Sequence, residues 1–415
     1  MQKNKLYENS HRTEFRRKGA RIAGHGGLPE DIVFDILALL PVESLIRFKC
    51  VRQSWRDLIS SPRFAVKHLR NPNRSSSDDR LLLMRLFGKK PGELENRLSL
   101  FSFADDNRDT STVVKSLDFS ISSGPRELEI SGYCDGIICL SDSRGFIALA
   151  NPGLRQFRVL PVTFPSSEPI IPFNACCSGF GYDPISDDYK VVRIWNSYYS
   201  HIPRVEIYTL STDSWREIKS EPFLEEISLN LIPGKYLNGA YYWWTEDDEL
   251  VFDDEDDQDE DVEFQTRDVM IVFDMSKEVF LRIPFPELLR SVARLRKIPL
   301  ILNESLALVS YTGTGSPEKL FDTRVINEVG DDKSRSQVTK LSKIGPLCGV
   351  RRPLLFWKND QVLFESWNNV SIVSYKKDTN ETKDLPLVLC HDFRLPEEVT
   401  AEVYTSSLIS VARGS

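Results

Sequence analysis

The chain has 415 residues, of which 41% are hydrophobic and 27% are charged, and its net charge is −8. These proportions are typical of a globular protein with room for two or three domains, although one all-β domain can exceed about 250 residues. No run of about 18 apolar residues occurs, which argues against a membrane span. The basic stretch 1–26 lacks an apolar centre, so we expect a disordered tail and not a secretory signal.

Residues 28–69 have the pattern of several short helices. Pro29 suits a first helical turn, where its missing N–H would have no partner anyway, and Pro41 ends this helix and opens a second one. Between the two prolines, apolar residues recur at helical spacing and predict a broad apolar face. A unit this small cannot bury so much apolar surface by itself. The surplus therefore indicates a docking site for another protein.

Two further helix starts are predicted in the same region. Ser54, with Asp57 three residues later, predicts a capping box for a third helix. Ser61-Pro62 predicts the start of a fourth. On periodicity alone, an ordinary helical subdomain packed against the rest of its own chain remains the alternative to a docking module.

Residues 27–70 resemble an F-box, on the positions Leu28, Pro29, Leu40, Pro41, Leu45, Arg47, Cys50, Val51 and Trp55. The resemblance implies that this module binds a Skp1-like adaptor and, through it, cullin-1 and a RING subunit of an SCF ubiquitin ligase, while the rest of the chain selects the substrate. The adaptor contacts that it implies are Leu28, Pro29, Ile32, Ile36, Leu40, Pro41, Leu45, Cys50 and Trp55.

Catalytic and metal-binding patterns are not found in the sequence. The seven cysteines are scattered, and without a secretory signal they predict reduced thiols in a cytoplasmic, or also nuclear, protein. No Cys-x-x-Cys pair, nucleophile elbow or phosphate-binding loop occurs. We therefore expect a non-catalytic protein without a cofactor or metal, which contacts neither nucleic acid nor membrane directly.

The negative charge is concentrated in residues 246–263, where 13 of the chain's 61 acidic residues occur without a basic one. Such a block repels itself and predicts a solvated loop. It is either a tolerated loop extension or an electrostatic attraction for a basic partner. The second interpretation makes five residues weak candidates for substrate contact: Asp253, Asp254, Glu255, Asp256 and Asp257.

After a polar linker over 71–79, residues 80–412 consist of short β-branched and aromatic runs separated by turns. This pattern is typical of a sandwich, a barrel or a propeller. Four segments align without gaps, and a degenerate copy over 325–341 would extend the series; the four are 150–161, 208–219, 273–284 and 375–386. Because repeated four-stranded blades produce such a series, we predict an α+β multidomain chain, with a small N-terminal all-α module before a large all-β, propeller-like domain.

The β region also resembles the plant F-box-associated, kelch-like domain, on the blocks 131–140, 179–194, 205–218, 237–244, 271–284 and 302–311. It is most similar to the S-locus F-box group, which acts in pollen self-incompatibility. That resemblance implies a basic secreted-type ribonuclease as the substrate. Two alternatives stay open: another plant protein in general regulated degradation, or a non-degradative Skp1-bound scaffold. Because the kelch double glycine is missing, the number of blades and their closure stay open as well.

Overall fold

The structure, a computed structural model, describes residues 28–71, 80–90, 93–103, 113–121, 128–142, 144–161, 173–197, 203–225, 232–250, 264–284, 295–312, 318–329, 336–357, 360–367, 371–385 and 399–412. All elements, contacts and counts refer to these residues. None of the helices among them is long and apolar enough to cross a membrane.

Residues 28–71, which we call the helical module, contain α1 (Glu30–Leu37), α2 (Val42–Phe48), α3 (Gln53–Ser60) and α4 (Pro62–Leu69). Pro29 and Pro41 are the N-cap residues of α1 and α2. The predicted start of each helix therefore agrees with the observed start to within one residue. The start of α4 is confirmed, because the Ser61 hydroxyl accepts a hydrogen bond of 3.2 Å from the Phe64 N–H and Pro62 follows it.

The capping box predicted at Ser54 is wrong. The helix α3 begins one residue earlier, at Gln53, and its cap, Arg52, makes no side-chain capping bond. The Gln53 amide instead donates to the Asp57 carboxylate over 2.8 Å, across one helical turn. Ser54 is therefore the second residue of the helix and not its cap, and the N–H groups that follow it already donate to helix carbonyls, as that of Arg56 does to the Arg52 carbonyl.

The β domain contains β1 (Arg80–Lys90), β2 (Glu93–Phe103), β3 (Val113–Ile121), β4 (Glu129–Cys134), β5 (Ile137–Ser141), β6 (Ile147–Asn151), β7 (Gln156–Val159), β8 (Phe173–Asp183), β9 (Asp188–Ser197), β10 (Arg204–Thr209), β11 (Ser214–Ile218), β12 (Ile232–Leu237), β13 (Ala240–Leu250), β14 (Phe264–Asp274), β15 (Val279–Pro284), β16 (Leu295–Leu302), β17 (Ser305–Thr312), β18 (Glu318–Val329), β19 (Ser336–Cys348), β20 (Val350–Trp357), β21 (Gln361–Ser366), β22 (Ile372–Lys376), β23 (Glu381–Leu385) and β24 (Thr400–Tyr404).

These strands form six antiparallel sheets of four strands. The domain is therefore a propeller, as the repeat predicted, and it has six blades, a number that the sequence left open. Blades 1 to 5 take consecutive strands: β4–β7, β8–β11, β12–β15, β16–β19 and β20–β23. Blade 6 combines the C-terminal strand β24 with β1, β2 and β3. The six innermost strands contact one another around the ring, including β24 with both β20 and β4. The ring is therefore closed by pairing the two ends of the domain.

The four aligned segments are the same hairpin, formed by the third and fourth strands of blades 1, 2, 3 and 5. Each turn has a residue with positive φ directly before the fourth strand: Arg155, Asp213, Glu278 and Asn380. The aromatic position that the segments share lies two residues later and pairs across the hairpin, as in Tyr208 with Trp215 and Phe273 with Phe280. The degenerate copy over 325–341 joins β18 to β19 in blade 4. The repeat therefore reflects one turn geometry and a cross-strand position that is aromatic in three of the four copies.

Neighbouring blades approach closely at two glycines of β8. A Cβ atom at Gly181 would lie 2.1 Å from the Tyr236 ring, and one at Gly179 would lie 2.7 Å from the Trp243 ring. Only glycine therefore lets the aromatic side chains of blade 3 pack directly on the innermost strand of blade 2. Tyr236 also donates a hydrogen bond of 2.8 Å to the Tyr182 carbonyl, which ties the two strands together.

A buried ion network joins blades 2 and 3 beside these glycines. Lys190 Nζ donates to Asp183 Oδ2 over 2.6 Å, to Glu278 Oε1 over 2.8 Å and to the Met275 carbonyl over 2.9 Å. Ser186 and Ser276 also donate to the Asp183 carboxylate. The lysine and its aspartate are both buried, so each charge has its hydrogen-bonding partners within the protein.

This network makes the stability of the fold depend on pH. Burial by itself would raise the pKa of Asp183, but hydrogen bonds from Lys190, Ser186 and Ser276 outweigh it and hold the pKa well below the usual value. The pKa of Lys190 is raised, because its bonds to two carboxylates outweigh the effect of burial. The carboxylate therefore stabilises the fold above its unfolded pKa of about 4, and this stabilisation is lost as the pH falls.

We expect the Asp183→Asn variant to show a weaker acid dependence of stability than the parent chain. Its unfolding free energy, measured by urea denaturation between about pH 6 and pH 3, should fall with a slope shallower by up to about 1.4 kcal/mol per pH unit, since one proton fewer is taken up. The Asp187→Asn variant is the control, because its carboxylate lies in the same turn but outside the network. Parallel slopes for the Asp183 variant and the parent would contradict the assignment.

The helical module packs on one face of the propeller, which we call the near face. On this face lie the turns 152–155, between the third and fourth strands of blade 1, and 184–187, between the first and second strands of blade 2. Leu408 belongs to the core of the module, and Leu154 and Ile409 pack against that core. The segment that follows β24 is in turn held by blade 1, where Asn151 donates a hydrogen bond of 2.7 Å to the Ile409 carbonyl.

Candidate functional site

The helical module carries an apolar stripe that the propeller does not cover. Ile32 and Ile36 lie on α1 at a spacing of four residues, and Leu28 and Leu39 continue the same line to either side. The exposed fractions of five side chains are large: Leu28 61%, Ile32 46%, Ile36 46%, Leu39 52% and Val51 61%. We call these five residues the apolar helix surface. Five exposed apolar side chains on so small a module indicate a protein-binding surface.

The opposite side of the module fixes this surface in place. Val42, Leu45 and Phe64 are fully buried, and the Phe34 and Phe64 rings meet edge to face at 5.1 Å between centroids. His68 Nε2 lies 2.8 Å from the Leu40 carbonyl, which holds the end of α4 against the segment between α1 and α2. The apolar helix surface therefore rests on a packed core and needs no partner to keep its shape.

The predicted adaptor contacts fall into two groups. Six of them are exposed: Leu28, Pro29, Ile32, Ile36, Pro41 and Cys50. Leu40 and Trp55 are half-buried and pack against the module core, and Leu45 is buried within it. In this structure Leu45 is thus part of the core on which the apolar helix surface packs. The contacts themselves stay a prediction. Leu39 and Val51 were not among the predicted contacts, although Leu39 continues the spacing of Ile32 and Ile36.

The face opposite the near face, which we call the far face, is the second candidate region. It carries the connections between the second and third strands and those between successive blades, because antiparallel strands alternate in direction. The helical module is packed on the near face, so the far face points away from it. In propellers, ligands commonly bind to such loops at one end of the ring.

The acidic segment lies in the chain between β13 and β14, and the ends of these two strands that flank it are on the side of the far face. Its first five residues, 246–250, are not loop as predicted but extend β13 and pair in register with 264–268 of β14. The five candidate contacts from Asp253 to Asp257 lie outside the described residues.

Two family profiles match the chain. The F-box domain profile matches residues 27–67, and the F-box associated beta propeller domain profile matches residues 93–409. The first covers the helical module and the second covers most of the propeller. The two resemblances found in the sequence are thereby confirmed at the level of the family.

Two similar plant proteins are also named as F-box proteins. The F-box protein CPR1 of Arabidopsis thaliana is 24% identical over 405 residues, which cover 93% of this chain and 90% of that protein. The F-box/kelch-repeat protein At3g23880 of the same plant is 29% identical over 266 residues, 62% of this chain and 65% of that protein. With several other curated relatives, the match spans about half of their length.

Solved structures are less informative. An oligogalacturonate lyase in complex with manganese covers 73% of this chain and 77% of its own at 9% identity, with a TM-score of 0.39, a likeness too low to carry an argument. The family rests instead on the two profiles, which together account for the helices and for the ring of blades. The chain belongs to the family of F-box proteins that carry an F-box associated β-propeller domain.

Proposed function

We propose that this chain is the substrate-recognition subunit of an SCF ubiquitin ligase. The observation that supports this most is the apolar helix surface, which lies within the matched F-box and is left open by the propeller. A Skp1-like adaptor is the partner that an F-box implies, and cullin-1 and a RING subunit would follow through it. The six exposed residues Leu28, Pro29, Ile32, Ile36, Pro41 and Cys50 are the proposed contacts.

The proposed mechanism is binding without catalysis by this chain. The helical module would hold the adaptor while the far face of the propeller holds a target protein. Joining the two converts ubiquitin transfer to the target into a reaction within one complex, which raises the effective concentration of the target's lysines. The packing of Leu408 and Ile409 against the module supports this proposal, because a fixed spacing between module and propeller limits where the target can be placed.

Reconstitution of the ligase tests the proposal. The purified chain is combined with a Skp1-like adaptor, cullin-1, a RING subunit, a conjugating enzyme and ubiquitin, together with an extract of the plant tissue that expresses it. We expect ubiquitin conjugates on proteins captured by the chain, and none when the chain is omitted. Capture of the adaptor without any conjugates would favour the alternative of a non-degradative scaffold.

Two classes of target are compatible with the sequence. A basic secreted-type ribonuclease, as in pollen self-incompatibility, is implied by the S-locus resemblance and supported by the acidic segment. Another plant protein under general regulated degradation is the second class. Expression confined to pollen would favour the ribonuclease, and expression in leaves and roots would favour the second class. Action in the cytoplasm or nucleus is part of the same proposal.

The acidic segment gives a separate prediction. Changing Asp253, Asp254, Glu255, Asp256 and Asp257 to Asn or Gln should leave the unfolding free energy unchanged and slow association with a basic protein such as a secreted-type ribonuclease. The difference should shrink as salt is added, because salt screens charges beyond about 10 Å at 0.1 M. The measurement is stopped-flow association at low and high salt. Equal rates at low salt would show that the segment has no role in encounter.

A further inference from the structure

Residues 405–411, which we call the C-terminal segment, follow β24 and contact both parts of the molecule. Leu408 is 6% exposed and belongs to the core of the helical module. Three residues later, Val411 is fully buried in the core that blades 1 and 2 share. One short stretch of chain therefore has an apolar anchor in the module and another in the propeller.

Asn151, the last residue of β6, holds this segment on blade 1. Its side chain is buried, and its Nδ2 donates to the Ser407 carbonyl over 3.2 Å and to the Ile409 carbonyl over 2.7 Å. Its Oδ1 accepts a hydrogen bond of 3.2 Å from the Leu154 N–H. Because Leu154 and Ile409 both pack against the module core, one amide fixes both the segment and the turn on which the module rests.

Blade 1 makes further contacts that define the course of the segment. Gln156 Oε1 accepts hydrogen bonds of 3.0 Å from the Val411 N–H and from the Ser410 hydroxyl. In the turn between β4 and β5, a Cβ atom at Gly136 would lie 2.7 Å from the Ser407 hydroxyl oxygen, so glycine leaves the room that the segment occupies. A chain end is usually poorly ordered unless such contacts hold it.

A role in propeller stability alone accounts for only part of this arrangement. The hydrogen bonds to blade 1 would stabilise the propeller even if Leu408 faced solvent, but Leu408 fills the module core. Among the described residues of the propeller, that core is contacted by Leu154, Leu408 and Ile409, and Arg70 adds a surface bond of 3.4 Å to the Tyr182 hydroxyl. Small interfaces within a chain permit relative motion of the domains. The bonds that hold these three apolar side chains should therefore decide whether the module keeps one orientation.

We propose that the C-terminal segment, held by Asn151, fixes the orientation of the helical module on the propeller. Asn151 and Leu408 are then positioning residues for ubiquitin transfer to a bound target. Both are buried, so they act through geometry. A module free to swing would spread the target's lysines over a larger volume and lower their effective concentration at the conjugating enzyme. The inference rests on the proposed function.

Spin labels on the full chain measure this orientation without adaptor or target. Cys50 on the module and Cys348 at the end of β19 are both exposed. Replacing Cys176, Cys177 and Cys390 by alanine leaves these two as the reactive thiols, since the other two cysteines are buried. Pulsed electron–electron double resonance between the two nitroxides gives the distribution of distances between module and propeller. We expect one narrow distribution for this labelled parent chain.

Leu408→Ala and Asn151→Ala should each widen the distribution about twofold or more, because the junction loses an anchor or its hydrogen bonds. Leu385→Ala is the matched control, since Leu385 is 5% exposed in the core of blades 5 and 6. It should lower the melting temperature as Leu408→Ala does and keep the parent's distribution. Leu408→Met conserves the volume of the anchor and should also keep the narrow distribution, whether or not Asn151→Ala disturbs the fold.

The same variants without labels are then placed in the reconstituted ligase with the tissue extract. Leu408→Ala should keep the parent's affinity for the adaptor and the parent's amount of captured protein. The yield of ubiquitin conjugates per captured protein should fall about threefold or more. A merely structural role would lower capture and transfer together.

The outcomes separate this inference from the proposed function. A broad distribution in the parent, or equal widths in the parent and Leu408→Ala, would overturn the inference. Widening by Leu385→Ala would overturn it too, since lost stability would then explain the effect, as would an unchanged conjugate yield in a chain whose distribution has widened. Absence of adaptor binding by the parent, with the widths as expected, would contradict the proposed function, while the role of the segment in fixing the module would be retained.

Discussion

Replacing Lys190 by methionine is expected to lower the free energy of unfolding by about 3–5 kcal/mol. The change removes the cation that neutralises Asp183, whose side chain is 2% exposed, and it leaves that carboxylate buried between blades 2 and 3. Glu278 keeps Arg216 as a second partner, so the aspartate is the group most affected. Urea denaturation of parent and variant at pH 7 measures the difference.

Two further variants make this result specific. Lys340→Met is the control, because this lysine is half exposed and its ion pair with Asp322 spans 3.3 Å at the surface, so its loss should cost about 1 kcal/mol or less. Adding Asp183→Asn to Lys190→Met should recover part of the lost stability, because it removes the unpaired charge. A cost for Lys190→Met no larger than that of the control would show that the network does not hold the blades together.

The second large effect concerns the adaptor. Changing Ile32 and Ile36 together to glutamate should weaken binding of a Skp1-like adaptor by at least about 100-fold, because each isoleucine contributes about 1.5–3 kcal/mol when it is fully buried at an interface. Both side chains are exposed in the free chain, so the melting temperature should not change. Ile185→Glu is the matched control, on an exposed turn of blade 2.

The turn chemistry of the propeller could be predicted from the sequence, whereas the number of blades could not. Each aligned segment has a turn residue with positive φ and a strand position that is aromatic in three of the four copies. Each of these hairpins can therefore be predicted from its own residues. None of the four aligned segments lies in blade 6. Its innermost strand, β24, comes from the other end of the domain, and a pairing of that range depends on ring closure and not on local residues.

The helical module likewise has features that local spacing could predict and features that only the packed structure shows. The spacing of Ile32 and Ile36 on one helix predicted an exposed apolar stripe, but it could not show that Leu45 of the next helix is buried beneath it.

The most direct test of the central proposal is a calorimetric titration of the intact chain with a purified Skp1-like adaptor. We predict binding of one adaptor per chain with a Kd of about 1 µM or tighter, as expected for an interface of ordinary size. We also predict loss of this binding in the Ile32→Glu/Ile36→Glu variant and its retention in Ile185→Glu. Absence of heat from the parent chain at about 100 µM adaptor, or equal affinity of the parent and the Ile32/Ile36 variant, would contradict the proposal.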